Sequence, residues 1–360
     1  MSTYLDYAGM GRVREPARAA MAAALEVLGA GSARVGEVFP ARHRARALAA
    51  ALLGCGGDEV GFVPNTSTGL ELVAGGIAWR SGDEVVVFEG DFPANVHPWR
   101  VLEGVRLVWV PMRDNGYRLE DIADAVGPRT RLVAVGHVHY ATGFRMDLRA
   151  VAEIAHDAGA LVCVDAVQSL GAVSVSVEEA DVDFLAAGAH KWLCAPPGTG
   201  VLFCRRELLD EVRLPCGWAG YAGANDLFDG PGRLRYDLEP KPSAARVEGG
   251  MYNVLGMVGL AAALEDLLGT GVDTVQARVL GLAGALRDGL RGLGCEVAQG
   301  GAGIVSFRHP RVSSGDLVAR LVAGGHQVAH PDGWVRAAPH HWTGDREPGE
   351  FLDALAHLVS

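Results

Sequence analysis

The stretches ALVCVDA (160–166) and DFLAAGA (183–189) are two short apolar runs, and a segment of helical periodicity at 147–158 precedes the first of them. Short apolar runs separated by helices indicate parallel strands that are covered on both faces. In such a sheet, ligands bind at the carboxyl ends of the strands. The two stretches therefore predict an α/β core with a polar site just after Asp165 and Ala189.

The alternation of strand and helix extends in both directions from these two runs. Strands are predicted at 59–63, 84–89, 105–111, 131–138 and 201–205, and helices at 16–30, 41–53 and 67–79. A long helix that begins near Tyr252 leads to a second region, with helices at about 274–293, 314–324 and 348–359 and strands near 295–299, 303–308 and 333–338. The pattern predicts a large α/β domain with a mostly parallel sheet between helices, followed by a smaller C-terminal α+β domain.

Composition argues against several classes of protein. The chain has 360 residues and a net charge of −11, which makes nucleic acid and anionic membranes poor partners. No run of about 18 apolar residues occurs, and the first residues do not have the pattern of a signal peptide. The six cysteines are scattered, as expected in the reducing cytoplasm: Cys55, Cys163, Cys194, Cys204, Cys216 and Cys295. We therefore expect a cytoplasmic protein with no nucleic-acid or membrane partner.

Lysine is rare in this chain, which contains only Lys191 and Lys241 against 30 arginines. Condensation with an aldehyde requires an amine that can lose its proton, and the guanidinium group of arginine does not deprotonate in proteins. Lys241 lies in the loop-like segment EPKPS, where a lysine can remain by chance. Lys191 directly follows a predicted strand and is the better candidate for an aldehyde-binding amine.

Two places suit a phosphate group. The segment NTSTG (65–69) puts hydroxyls, free N–H groups and a glycine that allows close approach, Gly69, at the start of a helix, although an ordinary helix N-cap has the same composition. His190 precedes Lys191 and can bind phosphate or cofactor, or it can be a hydrogen-bonded structural histidine.

Three residues suit an aromatic pyridine ring. Asp165 can hold a pyridinium nitrogen protonated, which makes the ring an electron sink, or it can cap a turn after its strand. Gln168 can donate to a ring hydroxyl, and Phe92 can stack on a planar ring or belong to the core. Taken with the phosphate candidates, this set predicts pyridoxal 5′-phosphate (PLP), held by Lys191 as a Schiff base.

The chain resembles the class V aminotransferase family of fold-type I PLP-dependent enzymes over nearly its whole length, from YLDYAG (4–9) to VRAAPHH (335–341). That family includes cysteine desulfurases, kynureninases and isopenicillin N epimerase-like enzymes. The motif DAVQSLGA (165–172) followed by AHKW (189–192) carries the resemblance most specifically. Other motifs are most similar to the kynureninase and epimerase branches: DFPANV (91–96), HVHYATG (137–143) and GW (217–218).

The resemblance implies a homodimer in which residues 16–255 form the large PLP-binding domain and residues 1–15 and 256–360 form the small one. It implies that Lys191 forms the internal aldimine and then shuttles the proton, while Arg336 binds the substrate carboxylate in bidentate fashion. The implied cofactor-binding residues are Ser67, Thr68, Phe92, Asp165, Gln168, His190 and Lys191. The expected substrate-binding residues are Arg336, His139, Tyr140 and His340.

Three features depart from the family pattern. The segment RAAPHHW (336–342) has no cysteine near Arg336, and Cys295 lies far upstream, so we expect an enzyme that does not form a persulfide on its own cysteine. Met251 occupies the place where the family often has a threonine that contacts the partner's phosphate. His137 and His139 are two residues apart on a predicted strand, but no carboxylate completes a metal site, so no metal is expected.

These residues predict a PLP-dependent enzyme, a transferase or lyase, that acts on an amino acid by transamination or by β-elimination with cleavage of a C–S or C–C bond. The lysine would remove the α-proton, and this shared step does not decide between the possible reactions. Epimerisation and a non-catalytic sensor or scaffold are the alternatives. A nucleotide-binding protein is disfavoured because no GxGxxG or Walker motif comes after the first strand. The Gly-rich, Arg-rich composition suggests a high-GC bacterium and a role in specialised metabolism.

Overall fold

The computed structural model describes residues 2–359. In this range the strands are β1 (Thr3–Tyr4), β2 (Val60–Val63), β3 (Glu84–Phe88), β4 (Arg106–Val110), β5 (Thr130–Gly136), β6 (Leu161–Asp165), β7 (Phe184–Gly188), β8 (Gly200–Cys204), β9 (Glu296–Val297), β10 (Val305–Arg308), β11 (His326–Gln327) and β12 (Val335–Ala337). The α-helices are α1 (Glu15–Gly29), α2 (Pro40–Leu53), α3 (Thr66–Gly76), α4 (His97–Arg100), α5 (Leu119–Ala125), α6 (Leu148–Asp157), α7 (Val254–Thr270), α8 (Val272–Gly292), α9 (Ser314–Ala323) and α10 (Glu347–Val359). The short elements β1, β11, α4 and α5 were not predicted.

Seven strands form the central sheet in the order β2-β8-β7-β6-β5-β3-β4. The strands from β7 to β4 pair in parallel, whereas β8 runs antiparallel to both of its neighbours. Asp165 at the end of β6 lies in register with Gly136 of β5 and with Ala186 of β7. The prediction of a mostly parallel sheet is confirmed, and the carboxyl ends of β5, β6 and β7 share one edge.

Both faces of this sheet are covered, which explains the apolar character of its strands. In β7, Phe184 and Ala186 pack into the apolar cluster on one face, and Leu185 and Ala187 pack into the cluster on the other. All of these side chains are almost fully buried. Burial stabilises a large apolar side chain such as Phe184 or Leu185 by roughly 1.5–3 kcal/mol, so the strand positions at the site edge are firmly held.

The first residues of the chain pair with its C-terminal part. β1 runs parallel to β11, Asp6 forms a bridge with Ala338, and β12, β10 and β9 form a small antiparallel sheet. This pairing agrees with a small domain built from both ends of the chain. The division at residues 15/16 and 255/256 stays a prediction, and its outer ends, Met1 and Ser360, lie outside the described residues.

Helix α7 packs against α1 and α2 and is buried along much of its length. In residues 2–359 no single helix has the length and hydropathy to cross a membrane, although α7 and α8 pass that test as a pair bent by 81°.

Candidate active site

Asp165 ends β6 at the shared edge of the sheet and is 7% exposed. Its Oδ1 accepts a hydrogen bond from the Val167 N–H at 2.9 Å, and no hydrogen bond from residues 2–359 reaches Oδ2. Burial raises the pKa of Asp165 to about 7; the nearby Asp91 carboxylate raises it further, and Lys191 opposes the shift. A buried carboxylate with a free oxygen suits a cationic N–H group such as a protonated pyridine nitrogen.

Lys191 lies three residues beyond the end of β7, on the same edge as Asp165. Its Nζ is 5.8 Å from the centre of the Phe92 ring. Burial lowers the pKa of Lys191 to about 8, with a further lowering from Arg336, while Asp165 and Asp6 act in the opposite direction. The amine is therefore close to two carboxylates and one guanidinium, and it is neutral more often than an exposed lysine.

This pKa predicts how the apoprotein captures its cofactor. Covalent capture of an aldehyde requires the neutral amine, which at pH 7 is a minor fraction when the pKa is about 8. The capture rate should therefore rise about tenfold per pH unit well below pH 8 and level off above it. Mixing the apoprotein with PLP at a series of pH values and following the visible absorbance measures this rate. A rate that keeps rising towards the ordinary lysine pKa of 10.5 would contradict the prediction.

Phe92 lies just after β3 and presents its ring beside Lys191. The ring is 45% exposed, and the Tyr140 ring meets it edge-on with the centroids 5.2 Å apart. The half-buried Asp91 carboxylate fixes the start of this turn, because its Oδ1 accepts the Phe92 N–H at 2.7 Å and its Oδ2 accepts from Asn95 at 2.8 Å. An exposed aromatic face beside an amine and a buried carboxylate fits a flat heteroaromatic ring.

The start of α3 lies next to the end of β7. Asn65 caps the helix by accepting the Thr68 N–H at 2.9 Å, and Thr66 Oγ1 accepts the Gly188 N–H, also at 2.9 Å. The His190 ring packs over Gly188, where an added Cβ would lie 3.0 Å from two ring atoms. The helix N-terminus that carries Ser67 and Thr68 is thereby held beside the loop that carries His190, an arrangement that suits a phosphate group.

Two features that were expected to serve a phosphate at this helix serve the protein itself. Asn65 is an ordinary N-cap, so the Thr68 N–H is not free to bind a ligand. Gly69 is small because an added Cβ would lie 2.8 Å from the Cβ of Ala186 in the sheet, and not because a ligand approaches it.

Gln168 is buried and fixed at both ends of its amide. Its Oε1 accepts from Trp192 Nε1 at 2.9 Å, and its Nε2 donates to the Ala8 carbonyl at 3.0 Å. One N–H of the amide remains for a ring hydroxyl. The contact with Trp192 ties Gln168 to the Lys191 loop.

Arg336 lies on β12, and its side chain is 8% exposed. Nη1 donates to the Tyr140 carbonyl at 2.9 Å and Nη2 donates to Asp6 Oδ1 at 3.1 Å, so each terminal nitrogen keeps a second N–H. These two remaining N–H groups suit bidentate binding of a carboxylate, and Arg336 lies near enough to Lys191 to lower the pKa of its amine.

The structure does not bring His139 and His340 to this space as free side chains. His139 Nε2 bonds with the Gly90 carbonyl at 2.8 Å and its Nδ1 accepts the Thr142 N–H at 3.1 Å. His340 is fully buried and bonds through Nε2 with the Trp192 carbonyl at 3.0 Å. Both histidines therefore hold loops of the protein, and the expectation that they contact substrate is not supported.

The predicted strand of residues 131–138 ends at Gly136, so His137 and His139 lie beyond it and not on one face of a strand. His137 is buried and accepts from Arg145 Nε at 3.3 Å. Among the residues that the structure describes, no group of three or more His, Cys, Asp or Glu side chains is arranged to hold a metal.

Two acidic residues of the site were missed by the sequence analysis. Asp91 supports Phe92 by accepting its backbone N–H, and Asp6 pairs with Arg336 across 330 residues of sequence. Both lie inside family motifs, DFPANV and YLDYAG, so their motif membership was the available signal.

Comparison with known proteins identifies the family. The family model for class V aminotransferases matches residues 4–339. A probable cysteine desulfurase from Methanothermobacter thermautotrophicus is 33% identical over 82% of this chain and 79% of its own length. The structure of a cysteine desulfurase from Thermococcus onnurineus matches with a TM-score of 0.86 and 26% identity, covering 99% of this chain and 94% of that one. A C-DES mutant with glycine covalently linked to its PLP cofactor matches in fold, with a TM-score of 0.90 and 22% identity over 99% of this chain and 96% of that one.

The expectation that the chain differs from persulfide-forming desulfurases is wrong, because relatives as similar as the Methanothermobacter protein are named cysteine desulfurases. The expectation rested on one segment, RAAPHHW, and the lack of a thiol there says nothing about thiols supplied from elsewhere. The six cysteines are free, and Cys194, three residues beyond Lys191, is buried with its pKa raised to about 12 by that burial.

Dimerisation and a cytoplasmic location stay predictions.

The residues at the sheet edge and the family agree on PLP as the cofactor. A buried carboxylate suits its ring nitrogen, a partly neutral lysine suits its aldehyde, an exposed aromatic ring suits its ring face and a helix N-terminus suits its phosphate. The chain belongs to the class V aminotransferase family and has the fold-type I architecture of PLP-dependent enzymes.

Proposed function

We propose that this protein is a PLP-dependent enzyme that cleaves the C–S bond of cysteine or a closely related sulfur amino acid. The observation that carries the proposal is the Lys191 amine at the sheet edge where Asp165 ends β6, with its pKa influenced by both the carboxylate of Asp165 and the guanidinium of Arg336. One neighbour suits the ring nitrogen of the cofactor and the other suits the carboxylate of an amino acid. The names of the relatives supply the sulfur chemistry.

Each residue near Lys191 has a defined task in this proposal. When bound, PLP supplies the carbonyl carbon that takes up the substrate amine and the ring that withdraws electrons from the α-carbon. Lys191, once freed, removes the proton at that carbon; its low pKa makes the neutral amine available near neutral pH. Arg336 holds the α-carboxylate through its two free N–H groups, which fixes the α-carbon over Lys191.

The remaining residues hold the cofactor. Asp165 would keep the ring nitrogen protonated, and the free N–H of Gln168 would donate to the ring hydroxyl. Phe92 would stack on the ring and exclude water from it, and Tyr140 packs edge-on against Phe92. Ser67, Thr68 and His190 would bind the phosphate; in the protein without cofactor, burial and then Lys191 lower the pKa of His190.

The products of the reaction distinguish its possible outcomes. In desulfuration, the sulfur passes to an acceptor thiol, a proton replaces it on the β-carbon, and cysteine becomes alanine. In β-elimination, the same C–S bond breaks, and the rest of the amino acid is released as pyruvate and ammonia. In transamination, the C–S bond stays intact and a keto acid forms with amination of the cofactor.

We expect the purified holoenzyme to release sulfide from L-cysteine in the presence of an added dithiol, with one alanine formed per sulfide. Sulfide, alanine, pyruvate and ammonia are measured in the same reaction, and an enzyme with Lys191→Ala is the control. Release of sulfide together with equal amounts of pyruvate and ammonia would support C–S cleavage and would identify the reaction as β-elimination. A keto acid that retains its sulfur, or a D-amino acid, in place of sulfide would disprove the proposed function.

A further inference from the structure

The segment from Thr3 to Gly11, which we call the N-terminal strap, connects Arg336 with the cofactor side of the site. At one end, β1 pairs with β11 and the Ala338 N–H donates to the Leu5 carbonyl, two residues beyond Arg336. At the other end, the Gly11 N–H donates to the His190 carbonyl at 2.8 Å. Between them, the Ala8 carbonyl accepts from Gln168. The strap therefore touches the substrate clamp, the ring-hydroxyl residue and the Lys191 loop.

Close packing fixes the position of the strap. An added Cβ at Gly11 would lie 1.9 Å from the Lys191 carbonyl oxygen, so only glycine fits where the strap crosses the Lys191 loop. An added Cβ at Gly9 would lie 2.5 Å from Asp6 Oδ2, so the chain folds back directly under the Asp6 carboxylate. The Gly9 and Met10 N–H groups both donate to the Asp6 carbonyl, which forms this turn.

Asp6 is the residue of the strap that acts on Arg336. Its Oδ1 accepts from Nη2 at 3.1 Å, and its side chain is 26% exposed against 8% for Arg336. A buried guanidinium without a counter-ion is strongly unfavourable. The arginine side chain can also adopt many rotamers, so it needs contacts that hold it in one of them. The Tyr140 carbonyl holds Nη1 on the other side, so the guanidinium has two anchors of which one is charged.

We infer that Asp6 is a positioning residue for substrate binding: its carboxylate holds one edge of the Arg336 guanidinium so that the remaining N–H groups face the substrate carboxylate beside Lys191. This inference rests on one part of the proposed function, that Arg336 binds an α-carboxylate. It does not depend on which bond the enzyme breaks.

The charges around Lys191 fit this role. Asp6 and Arg336 both influence the pKa of Lys191, in opposite directions, so the negative charge of Asp6 acts against the positive charge of Arg336 near the amine. Removal of Asp6 would leave Arg336 with a single neutral anchor and an uncompensated charge. The guanidinium would then lose the orientation that bidentate binding requires.

The test compares two ligands that differ in the carboxylate, L-alanine and ethylamine. Alanine has no sulfur to lose, so its binding is independent of the proposed C–S cleavage. Both are titrated into the holoenzyme, and binding is followed by the visible absorbance of the bound cofactor. We expect wild type to bind alanine more tightly than ethylamine. Asp6→Ala should raise the Kd of alanine about tenfold or more, as for the loss of a charge-assisted hydrogen bond, and leave the Kd of ethylamine within about twofold.

Two further variants separate positioning from general damage. Asp6→Asn keeps an oxygen acceptor without the charge and should raise the alanine Kd by roughly threefold, since a neutral acceptor binds a guanidinium more weakly. Asp345→Ala removes another aspartate that bonds an arginine, Arg278, at an exposed site, and should change neither ligand. If Asp6→Ala fails to fold or to retain cofactor, the Asp6→Asn measurement decides.

The inference is overturned if wild type does not prefer alanine to ethylamine, because Arg336 would then not act as a clamp. It is also overturned if the Asp6 variants leave the alanine Kd unchanged or lower it, or if they weaken both ligands equally.

Discussion

Replacement of Lys191 by alanine is expected to abolish turnover, with kcat reduced by roughly 10²–10⁴-fold or more, the range for removal of a positioned general base. Lys191 has the additional task of attaching the cofactor, so the visible absorbance of the bound cofactor should change as well. Lys191→Arg should be equally inactive, because a guanidinium keeps the charge but cannot condense with an aldehyde. Charge alone would therefore not rescue the enzyme.

The chain offers a matched control, because its only other lysine is Lys241. Lys241 Nζ donates to the Ala219 carbonyl, a contact that an arginine can also make. Lys241→Arg should retain wild-type kcat and cofactor absorbance, while Lys191→Arg loses both. If Lys191→Arg or Lys191→Ala kept more than a small fraction of wild-type turnover of L-cysteine, the assignment of Lys191 would be wrong.

The parts of the site that the sequence predicted are those that lie at strand ends. Asp165, Lys191 and Phe92 each come at or just after the carboxyl end of a parallel strand, and parallel strands bring such residues to one edge whatever the rest of the fold does. The apolar runs also predicted the strands themselves, because both faces of this sheet are buried. The succession of strands and helices along the chain, together with the residue types at the strand ends, was sufficient to predict this half of the site.

The other half depends on contacts between distant parts of the chain. Asp6 reaches Arg336 because β1 pairs with β11 and Asp6 itself bridges to Ala338, and such short pairings have no periodicity that a sequence can display. His340, in the motif VRAAPHH that also contains Arg336, was expected among the histidines of the substrate pocket, but its ring stacks on Tyr7 with the centroids 4.8 Å apart and lies in the core. Proximity in sequence to a binding residue does not determine which way a side chain packs.

The desulfurase question shows a different limit. The lack of a cysteine in RAAPHHW is a correct observation, but it concerns one segment of a chain that has six free thiols and can receive others from solution. The absence of a residue type from one loop is weaker evidence about a reaction than the presence of the residues that bind the cofactor. The cofactor-binding residues determine the steps that all members of the family share.

Replacement of Asp165 by asparagine is expected to lower kcat by about 10²–10³-fold, the cost of removing one preorganised electrostatic contact at a reacting centre, with a smaller change in KM. In the protein without cofactor, burial raises the pKa of this carboxyl to about 7. A cationic ring nitrogen beside it would favour the ionised form, so carboxylate and pyridinium stabilise each other. Asparagine is similar in shape but cannot carry the charge, and the ring nitrogen would then lose its proton and withdraw electrons less well.

Asp183 provides the control for this experiment, because it is another buried carboxylate at the opposite end of the same strands. It precedes β7, and its Oδ2 bonds with His156 at 2.9 Å and accepts the Val162 N–H at 2.8 Å. Asp183→Asn should lower the temperature of unfolding and leave kcat per folded enzyme near wild type. Asp165→Asn should lower kcat and leave the temperature of unfolding near wild type, since the Asp165 side chain bonds only the Val167 N–H among the described residues. Equal losses of kcat in both variants would mean that Asp165 acts on the fold and not on the cofactor ring.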